Sequence, residues 1–218
     1  MIGAVIAMQS EADILLNEMK ISRSLTVSGK NVYVGNAYGK EIALCVCGVG
    51  KVNAALGAQL LVSKFDVKKL LNFGVAGGLN ADTKLCDVYQ ISYAVQFDFD
   101  LVQLNGTKIG TLNEYEENYL ALNKLNASLP AKKLATADRF NDSTDDFHLL
   151  TKVLNADIRD MEGGAIVQTA YATQLPVYIV KAISDVAGSG STTKQFLENK
   201  GRALENLKAS LPLVFEEL

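Results

Sequence analysis

The most constraining feature of this sequence is a pair of neighbouring extended segments that each lead into an acidic residue. The apolar run at residues 177–183 is the strongest signal of a buried strand in the chain, and Ser184 and Asp185 follow it directly. Upstream, a shorter extended run ends in Glu162, where small and apolar residues predict a helix over 164–173. The carboxyl ends of parallel strands share one sheet edge, where ligands bind. The two carboxylates therefore predict a small-molecule site at that edge.

Length and composition predict one large α/β domain over residues 1–218. The net charge is −3 and no cluster of Lys and Arg stands out, which argues against nucleic acid or an anionic membrane as the main partner. No apolar run approaches the roughly 18 residues that span a bilayer. A strand begins at Ile2 with no signal peptide before it, so we expect a cytoplasmic protein.

The cysteines and the single histidine do not form a convincing metal site. Cys45 and Cys47 alternate within an apolar run, and with Cys86 they are expected to be reduced and packed. His148 is the only histidine, and its spacing from the cysteines is wrong for zinc. We therefore expect no metal and no other cofactor.

The order of the predicted elements indicates a mixed sheet. Short turns between the strands at 25–27, 31–37 and 41–47 imply antiparallel pairing, whereas the continuous apolar run at 2–7 is typical of a central parallel strand. Further strands are predicted at 69–73, 88–99 and 133–137, a glycine-rich segment at 74–78, a loop at 103–113, and helices at 52–65, 114–128, 145–154 and 192–217.

Several local features have two interpretations. Ser10 is a plausible N-cap that places Glu11 in the first turn of a helix, where a carboxylate is favoured even without a functional role. The glycines at 74–78 either let the backbone approach a ligand or simply form a turn. Phe140 lies in a polar loop at the same sheet edge and is either a ligand contact or a core residue.

Five segments, taken together, resemble the nucleoside phosphorylase superfamily, in particular the nucleosidases that act on 5′-methylthioadenosine and S-adenosylhomocysteine. The segments are residues 6–8 with Glu11, 48–55, 74–79, 160–162 and 182–187. They occur in the family's order, and the resemblance covers essentially the whole chain. It implies a three-layer α/β/α fold with a mixed, twisted, partly barrel-like central sheet.

The resemblance also implies a mechanism for hydrolysing an N-glycosidic bond. Asp185 would protonate the departing adenine, and Glu11 would act as the general base that activates water. Glu162 would hold the 2′ and 3′ hydroxyls of the ribose while positive charge develops on the sugar. We expect Asp185 to be desolvated with a raised pKa, and repulsion among the three carboxylates to raise at least one pKa.

The remaining site residues are assigned by the same resemblance. Phe140, Asn141 and Ser184 would contact adenine, and the 5′-substituent would lie against Met8, Val49, Met161 and Phe196. Leu101 and Leu104 fall in the segment with which a neighbouring subunit closes the pocket, so a homodimer is expected. Lys181 stands where the family usually carries Arg, and Val75 where it usually carries a small polar residue.

Three rival functions stay open at this point. Phosphorolysis would need cationic donors for phosphate, but the chain has only four Arg and none lies in the Gly48 or Gly74 segments, which favours hydrolysis. A related enzyme could hydrolyse another nucleoside of the futalosine type. A non-enzymatic nucleoside-binding protein would not need the base Glu11.

Overall fold

The computed structural model describes residues 1–125 and 129–218. The first half of the chain contains six strands and three helices. Its elements are β1 Ile2–Ile6, α1 Gln9–Leu16, β2 Lys20–Val27, β3 Lys30–Ala37, β4 Lys40–Val46, α2 Lys51–Lys64, β5 Lys69–Gly78, β6 Val88–Gln96 and α3 Val102–Asn105.

The second half of the chain returns to the same sheet and closes with the longest helix. Its elements are β7 Leu120–Ala121, β8 Ala131–Thr136, α4 Thr144–His148 with a π-helical turn at Leu149–Val153, β9 Ile158–Asp160, α5 Gly163–Thr173, β10 Val177–Val186 and α6 Thr192–Glu217.

The sheet is mixed, as the order of the predicted elements indicated, and it is partly closed, as the family resemblance implied. Strands β1, β4 and β5 are parallel, and β2, β3 and β4 form antiparallel hairpins. Strands β5, β10, β6, β8 and β9 pair in a ring, because β10 contacts both β6 and β5 while β9 joins β8 to β5. The ring is the barrel-like part, and β1 to β4 extend from it as an open sheet.

Helices cover both faces of the sheet, which confirms the three-layer α/β/α architecture. Helices α2 and α5 pack against each other and on one face, where Ala58, Leu61 and Ile166 are fully buried. Helices α1 and α6 pack on the other face, where Leu15 and Phe215 are fully buried. The three cysteines are buried and unpaired, as expected. In the two described ranges, no helix combines the length and the apolarity that crossing a bilayer requires.

One predicted helix is wrong. Over residues 114–125 the chain is irregular apart from the short strand β7, and the end of the predicted helix, residues 126–128, lies outside the described part. The buried residues Leu120 and Leu122 recur at strand spacing, and Leu120 pairs with Ala94 of β6. Tertiary pairing with β6 therefore outweighs the helical preference of the segment.

Three local predictions also need correction. The strand predicted at 69–73 continues to Gly78 as β5, so of the two interpretations of 74–78 the plain turn is excluded, because β10 and β9 pair with this segment. Met8, not Ser10, is the N-cap of α1, so the helix begins at Gln9. Part of the loop predicted at 103–113 belongs to α3.

Candidate active site

A cavity of about 380 Å³ lies where β1, β5, β9 and β10 reach their carboxyl ends, as the sheet-edge argument predicted. Most of the predicted site residues line its wall. They are Met8, Glu11, Val49, Val75, Phe140, Met161, Glu162, Ser184, Asp185 and Phe196. Three buried carboxylates, Glu11, Glu162 and Asp185, thus share one cavity although they come from distant parts of the chain.

Glu11 is held by backbone groups from two directions. Its Oε2 accepts from the Met8 N–H (3.1 Å), which satisfies the start of α1, and its Oε1 accepts from the Val75 N–H (2.8 Å) of β5. The residue is only 3% exposed, and burial raises its pKa, while Lys181 and the two N–H groups oppose that rise. Glu11 therefore stabilises the helix start and is also fixed against the cavity.

The glycine at position 74 makes room for the Glu11 carboxylate. A Cβ at Gly74 would lie 2.5 Å from Oε1 and 2.9 Å from Cδ of Glu11, closer than real Cβ contacts allow. Close packing leaves no slack to absorb such an overlap. The backbone of β5 consequently approaches the carboxylate closely enough for the Val75 N–H to bind it.

Glu162 lies between β9 and α5, at the strand-to-helix junction that the sequence predicted. Its Oε1 accepts from the Gly50 N–H (2.8 Å), and Gly50 has a φ of 102°, a backbone conformation that favours glycine. Burial and then repulsion from Asp160 raise the pKa of Glu162 to about 7, against the opposing effects of Lys181 and Gly50.

A buried ion pair lies beside these two glutamates. The Lys181 Nζ is 2.9 Å from Oδ2 of Asp160, and both side chains are 2% exposed. Asp160 also accepts from the Thr136 hydroxyl (2.6 Å) and the Gly163 N–H (2.9 Å). Burial disfavours the charge on Lys181, but Asp160, Glu162 and Glu11 outweigh it and raise its pKa. Lys181 does not line the cavity itself and acts on it only electrostatically.

Asp185 is hydrogen-bonded through only one of its two oxygens among the described residues. Its Oδ1 accepts from the Ser184 hydroxyl (2.8 Å), whereas its buried Oδ2 has no hydrogen-bond partner. Burial raises its pKa, Ser184 and Arg159 oppose the rise, and Asp142 adds to it. The raised pKa was predicted for Asp185, and the structure shows the same direction for all three cavity carboxylates, with burial as the largest cause at each.

Two aromatic rings form another part of the wall, and a lysine lies behind one of them. Phe140 is 49% exposed, so it is not a core residue, and its ring meets that of Phe196 edge-on with centroids 5.7 Å apart. The Lys200 Nζ lies 5.4 Å from the centroid of Phe196 and 3.7 Å from Sδ of Met8. Phe196 thereby takes the cavity position that sequence spacing alone left uncertain.

The structure also adds cavity residues that sequence reasoning missed. They are Ala7, Ala76, Gly77, Arg139, Arg159, Asp160, Thr193 and Leu197. Arg139 and Arg159 adjoin predicted positions, but only the direction of their side chains brings them to the cavity. The Gly48 and Gly74 segments lack Arg, as the argument against phosphate stated, but two arginines from other segments reach the cavity wall. Arg139 is already paired with Asp146 (2.7 Å).

Three predicted binding residues besides Lys181 lie away from this wall. Asn141 donates its side-chain N–H to Asp146 (2.9 Å). Leu101 and Leu104 are next to and within α3, and Leu104 is 79% exposed. Among residues 1–125 and 129–218, no group of three or more His, Cys, Asp and Glu is arranged to hold a metal ion.

The arrangement brings three carboxylates with different partners to the wall of one cavity that apolar residues also line. Glu11 and Glu162 can stabilise positive charge on a bound molecule, and a protonated Asp185 can donate to a basic atom. The apolar and aromatic wall residues exclude water and provide surfaces for a flat ring.

Known proteins are similar to this chain in both sequence and fold. A nucleosidase for 5′-methylthioadenosine and S-adenosylhomocysteine from Listeria monocytogenes serotype 4a is 30% identical over 206 residues, which are 88% of each chain. An aminodeoxyfutalosine nucleosidase from Campylobacter jejuni is 29% identical over 84% of each chain. The adenine complex of the methylthioadenosine/adenosylhomocysteine nucleosidase from Colwellia psychrerythraea superposes with a TM-score of 0.89 and 25% identity, covering 99% of this chain and 95% of that one.

A match to a protein-family model assigns the chain to a family, in agreement with these similarities. The model described as the phosphorylase superfamily matches residues 1–213, nearly the whole length of the sequence. The closed ring of strands, the helical layers and the cavity at the strand ends belong to this matched region. The chain is therefore a member of the phosphorylase superfamily.

Proposed function

We propose that the protein hydrolyses the N-glycosidic bond of 5′-methylthioadenosine and S-adenosylhomocysteine, releasing adenine and the 5′-thio-substituted ribose. The observation that carries this proposal is the convergence of Glu11, Glu162 and Asp185 on one cavity. The similarity to nucleosidases from Listeria and Colwellia supports the choice of substrate. Each carboxylate has a different set of partners, as a reaction needing both an acid and a base requires.

Asp185 is the proposed general acid. Its proton passes to N7 of adenine while the C1′–N9 bond breaks and the bonding electrons stay with the base. Burial raises the pKa of Asp185, which favours the protonated form that the step needs. Ser184 holds Oδ1, so the carboxyl group keeps one orientation.

Glu11 and Glu162 are proposed to act on the sugar. Glu162 accepts from the 2′ and 3′ hydroxyls, and both anions stabilise the oxocarbenium-like sugar as the bond stretches. Glu11 then takes a proton from the attacking water, whose oxygen forms the new bond to C1′. Backbone N–H groups and nearby Lys181 favour the charged form of Glu11 that can accept this proton.

The remaining contacts are proposed from the family resemblance, and most of the residues involved line the cavity. Phe140 provides a face for the adenine ring, with Asn141 supplying backbone hydrogen bonds after a local adjustment. Met8, Val49, Met161 and Phe196 surround the 5′-substituent, and Val75 packs near the ribose.

Exposed residues near α3 extend the proposal to the assembly. Leu101 and Leu104 would close the same cavity of a second subunit, so we propose a homodimer in which residues 1–218 of each chain form one domain. We further propose that the protein works in the cytoplasm.

The decisive experiment is a direct assay of base release. The purified protein is incubated with 5′-methylthioadenosine with and without inorganic phosphate, and adenine and the sugar product are identified by mass. We expect adenine and free 5-methylthioribose at the same rate in both reactions. A requirement for phosphate with formation of a sugar 1-phosphate would contradict hydrolysis.

Replacing Glu11 by Gln tests the proposed base. Gln keeps the shape of the side chain but cannot accept the proton from water, so kcat is expected to fall by about 10²–10⁴-fold. Binding of an adenine-nucleoside analogue should change far less. Glu18→Gln, at an exposed pair with Lys208, is the matched control and should retain kcat. Undiminished turnover by Glu11→Gln would refute the assignment.

The Campylobacter relative motivates a second candidate substrate, aminodeoxyfutalosine. The two candidates share the reaction and differ in the 5′-substituent, so the same three carboxylates serve both. Comparing kcat/KM for methylthioadenosine, adenosylhomocysteine and aminodeoxyfutalosine ranks them. We expect the first two to have the higher values.

A further inference from the structure

Two buried polar atoms of the cavity wall face each other, and neither has a hydrogen-bond partner in the described part of the chain. They are Nη2 of Arg159 and Oδ2 of Asp185, and they lie 3.9 Å apart, too far for a direct hydrogen bond. The side chains are 12% and 2% exposed, respectively. Buried donors and acceptors are rarely left unsatisfied because desolvation costs free energy. A bound molecule that engages both atoms would recover that cost.

Local backbone geometry places the guanidinium beside the carboxyl group. Gly77 of β5 pairs with Arg159 of β9, and a Cβ at position 77 would lie 2.9 Å from Oδ2 of Asp185 and 3.1 Å from Nε of Arg159. The glycine thus leaves the space in which both side chains reach the same part of the cavity. Arg139, the other arginine in the wall, is instead neutralised by Asp146.

A purine base has two adjacent polar positions that a neighbouring guanidinium and carboxyl group can contact. The edge that carries N7 also carries the substituent at C6, which is a donor in a 6-aminopurine and an acceptor in a 6-oxopurine. If Asp185 donates its proton to N7, as the proposed function requires, the group beside it faces the 6-substituent. The Arg159 guanidinium has only donors, and it therefore matches an oxygen at this position and not an amino group.

We propose that Arg159 is a specificity-determining residue that hydrogen-bonds the 6-oxygen of a purine, so that the cavity cleaves 6-oxopurine nucleosides as well as 6-aminopurine nucleosides. This inference rests on the proposed function, because it takes Asp185 as the proton donor to N7. With a 6-aminopurine, Oδ2 of Asp185 accepts from the amino group and Arg159 stays without a partner from the base. With a 6-oxopurine, Arg159 supplies the second hydrogen bond.

The test compares two substrates that differ only at C6. The substrates are 5′-methylthioadenosine and 5′-methylthioinosine, and kcat/KM is measured for each with the wild-type protein and with Arg159→Met. We expect the wild type to cleave both. The variant should lower the ratio of the 6-oxo to the 6-amino value by about tenfold or more, as expected for the loss of a base-edge contact from arginine.

Matched variants distinguish the loss of the Arg159 hydrogen bond from a general loss of positive charge or of folded structure. Arg139→Met removes the other cavity arginine and should leave the ratio unchanged. Arg159→Lys keeps the charge but not the geometry of the fork and should give an intermediate ratio. Affinities of free hypoxanthine and adenine, measured by calorimetry, report the same preference without turnover, and circular dichroism checks that each variant folds.

The possible outcomes distinguish a failure of this inference from a failure of the proposed function on which it rests. Cleavage of methylthioadenosine without cleavage of methylthioinosine by the wild type would overturn the inference and leave the proposed function intact. Equal losses for both substrates in Arg159→Met would also overturn it, since they indicate general stabilisation of the leaving base. If the wild type releases no base from either nucleoside, the proposed function fails and the inference with it.

Discussion

The two sides of the cavity bury their carboxylates in different ways. Glu11 and Glu162 accept backbone N–H groups from Met8, Val75 and Gly50, and they share the field of the buried Lys181. Asp185 has one hydroxyl partner and one oxygen without any hydrogen bond. Burial raises the pKa at both sides; backbone N–H groups and Lys181 oppose the rise at the glutamates, whereas Ser184 and Arg159 oppose it at Asp185.

This difference shows how one residue class can serve opposite roles. Backbone N–H groups and the buried Lys181 lower the cost of charge on the glutamate side, whereas a side-chain hydroxyl and a guanidinium do so on the aspartate side, and burial opposes the charge on both. The glutamate side matches a developing cation, and the aspartate side matches a base that must receive a proton. The following predictions test whether the two sides are as distinct as their contacts indicate.

The largest effect is expected on the aspartate side. Asp185→Asn keeps the size of the side chain but removes the transferable proton, so kcat for adenine release should fall by about 10²–10⁴-fold. Adenine binding should be retained, which equilibrium titration can verify. The exposed Asp66→Asn is the control and should keep kcat. A small change in kcat for Asp185→Asn would mean that another group protonates the base.

The ion pair near the glutamate side predicts a large effect on stability. Lys181→Met leaves Asp160 buried without its cation, and removing one partner of a buried pair costs about 3–5 kcal/mol of unfolding free energy. Urea denaturation measures the loss. Lys194→Met breaks the exposed pair with Glu198 and should cost only about 0–1 kcal/mol. Equal losses in the two variants would show that Lys181 does not support the glutamates.

A smaller effect is expected from crowding Glu11. Gly74→Ala places a Cβ against its carboxylate, which should cost about 1–3 kcal/mol of stability and displace the proposed base, lowering kcat by about 10²-fold. Gly201→Ala is the matched control: a Cβ there meets nothing within 4 Å, and alanine favours helix α6. Unchanged kinetics in Gly74→Ala would show that Glu11 tolerates displacement.

The smallest effect concerns the pH dependence of stability. The pKa of Glu162 is raised from 4.5 to about 7, so between these values the folded state binds more protons than the unfolded state. Stability contributed by this group is therefore lost as pH rises through that window.

Glu162→Gln removes this titration and should reduce the loss of unfolding free energy between about pH 5 and about pH 8 by on the order of 2 kcal/mol. Glu11 and Asp185 have pKa values raised in the same direction, so part of the slope should persist. Denaturant titrations at the two pH values provide the measurement. An identical slope in wild type and variant would contradict the raised pKa of Glu162.

Local patterns predicted the elements that deliver the three carboxylates. The apolar run at 177–183 became part of β10, and the small residues after Glu162 became α5. These patterns succeed because strand burial and helix starts depend on residues close in the chain. The helix predicted over 114–128 failed for the opposite reason, since pairing between β7 and β6 depends on residues far away.

The sequence by itself determined the mixed α/β architecture and the placement of Glu11, Glu162 and Asp185 near strand ends. Only the tertiary structure decided that five strands close into a ring, that Lys181 pairs with Asp160, and that Arg159 turns toward Asp185. The spacing of hydrophobic residues indicates which face of a helix or strand is buried, and this spacing depends on residues close in the chain. The partner of a buried charge is set by long-range packing, because it depends on which strands become neighbours when the sheet closes.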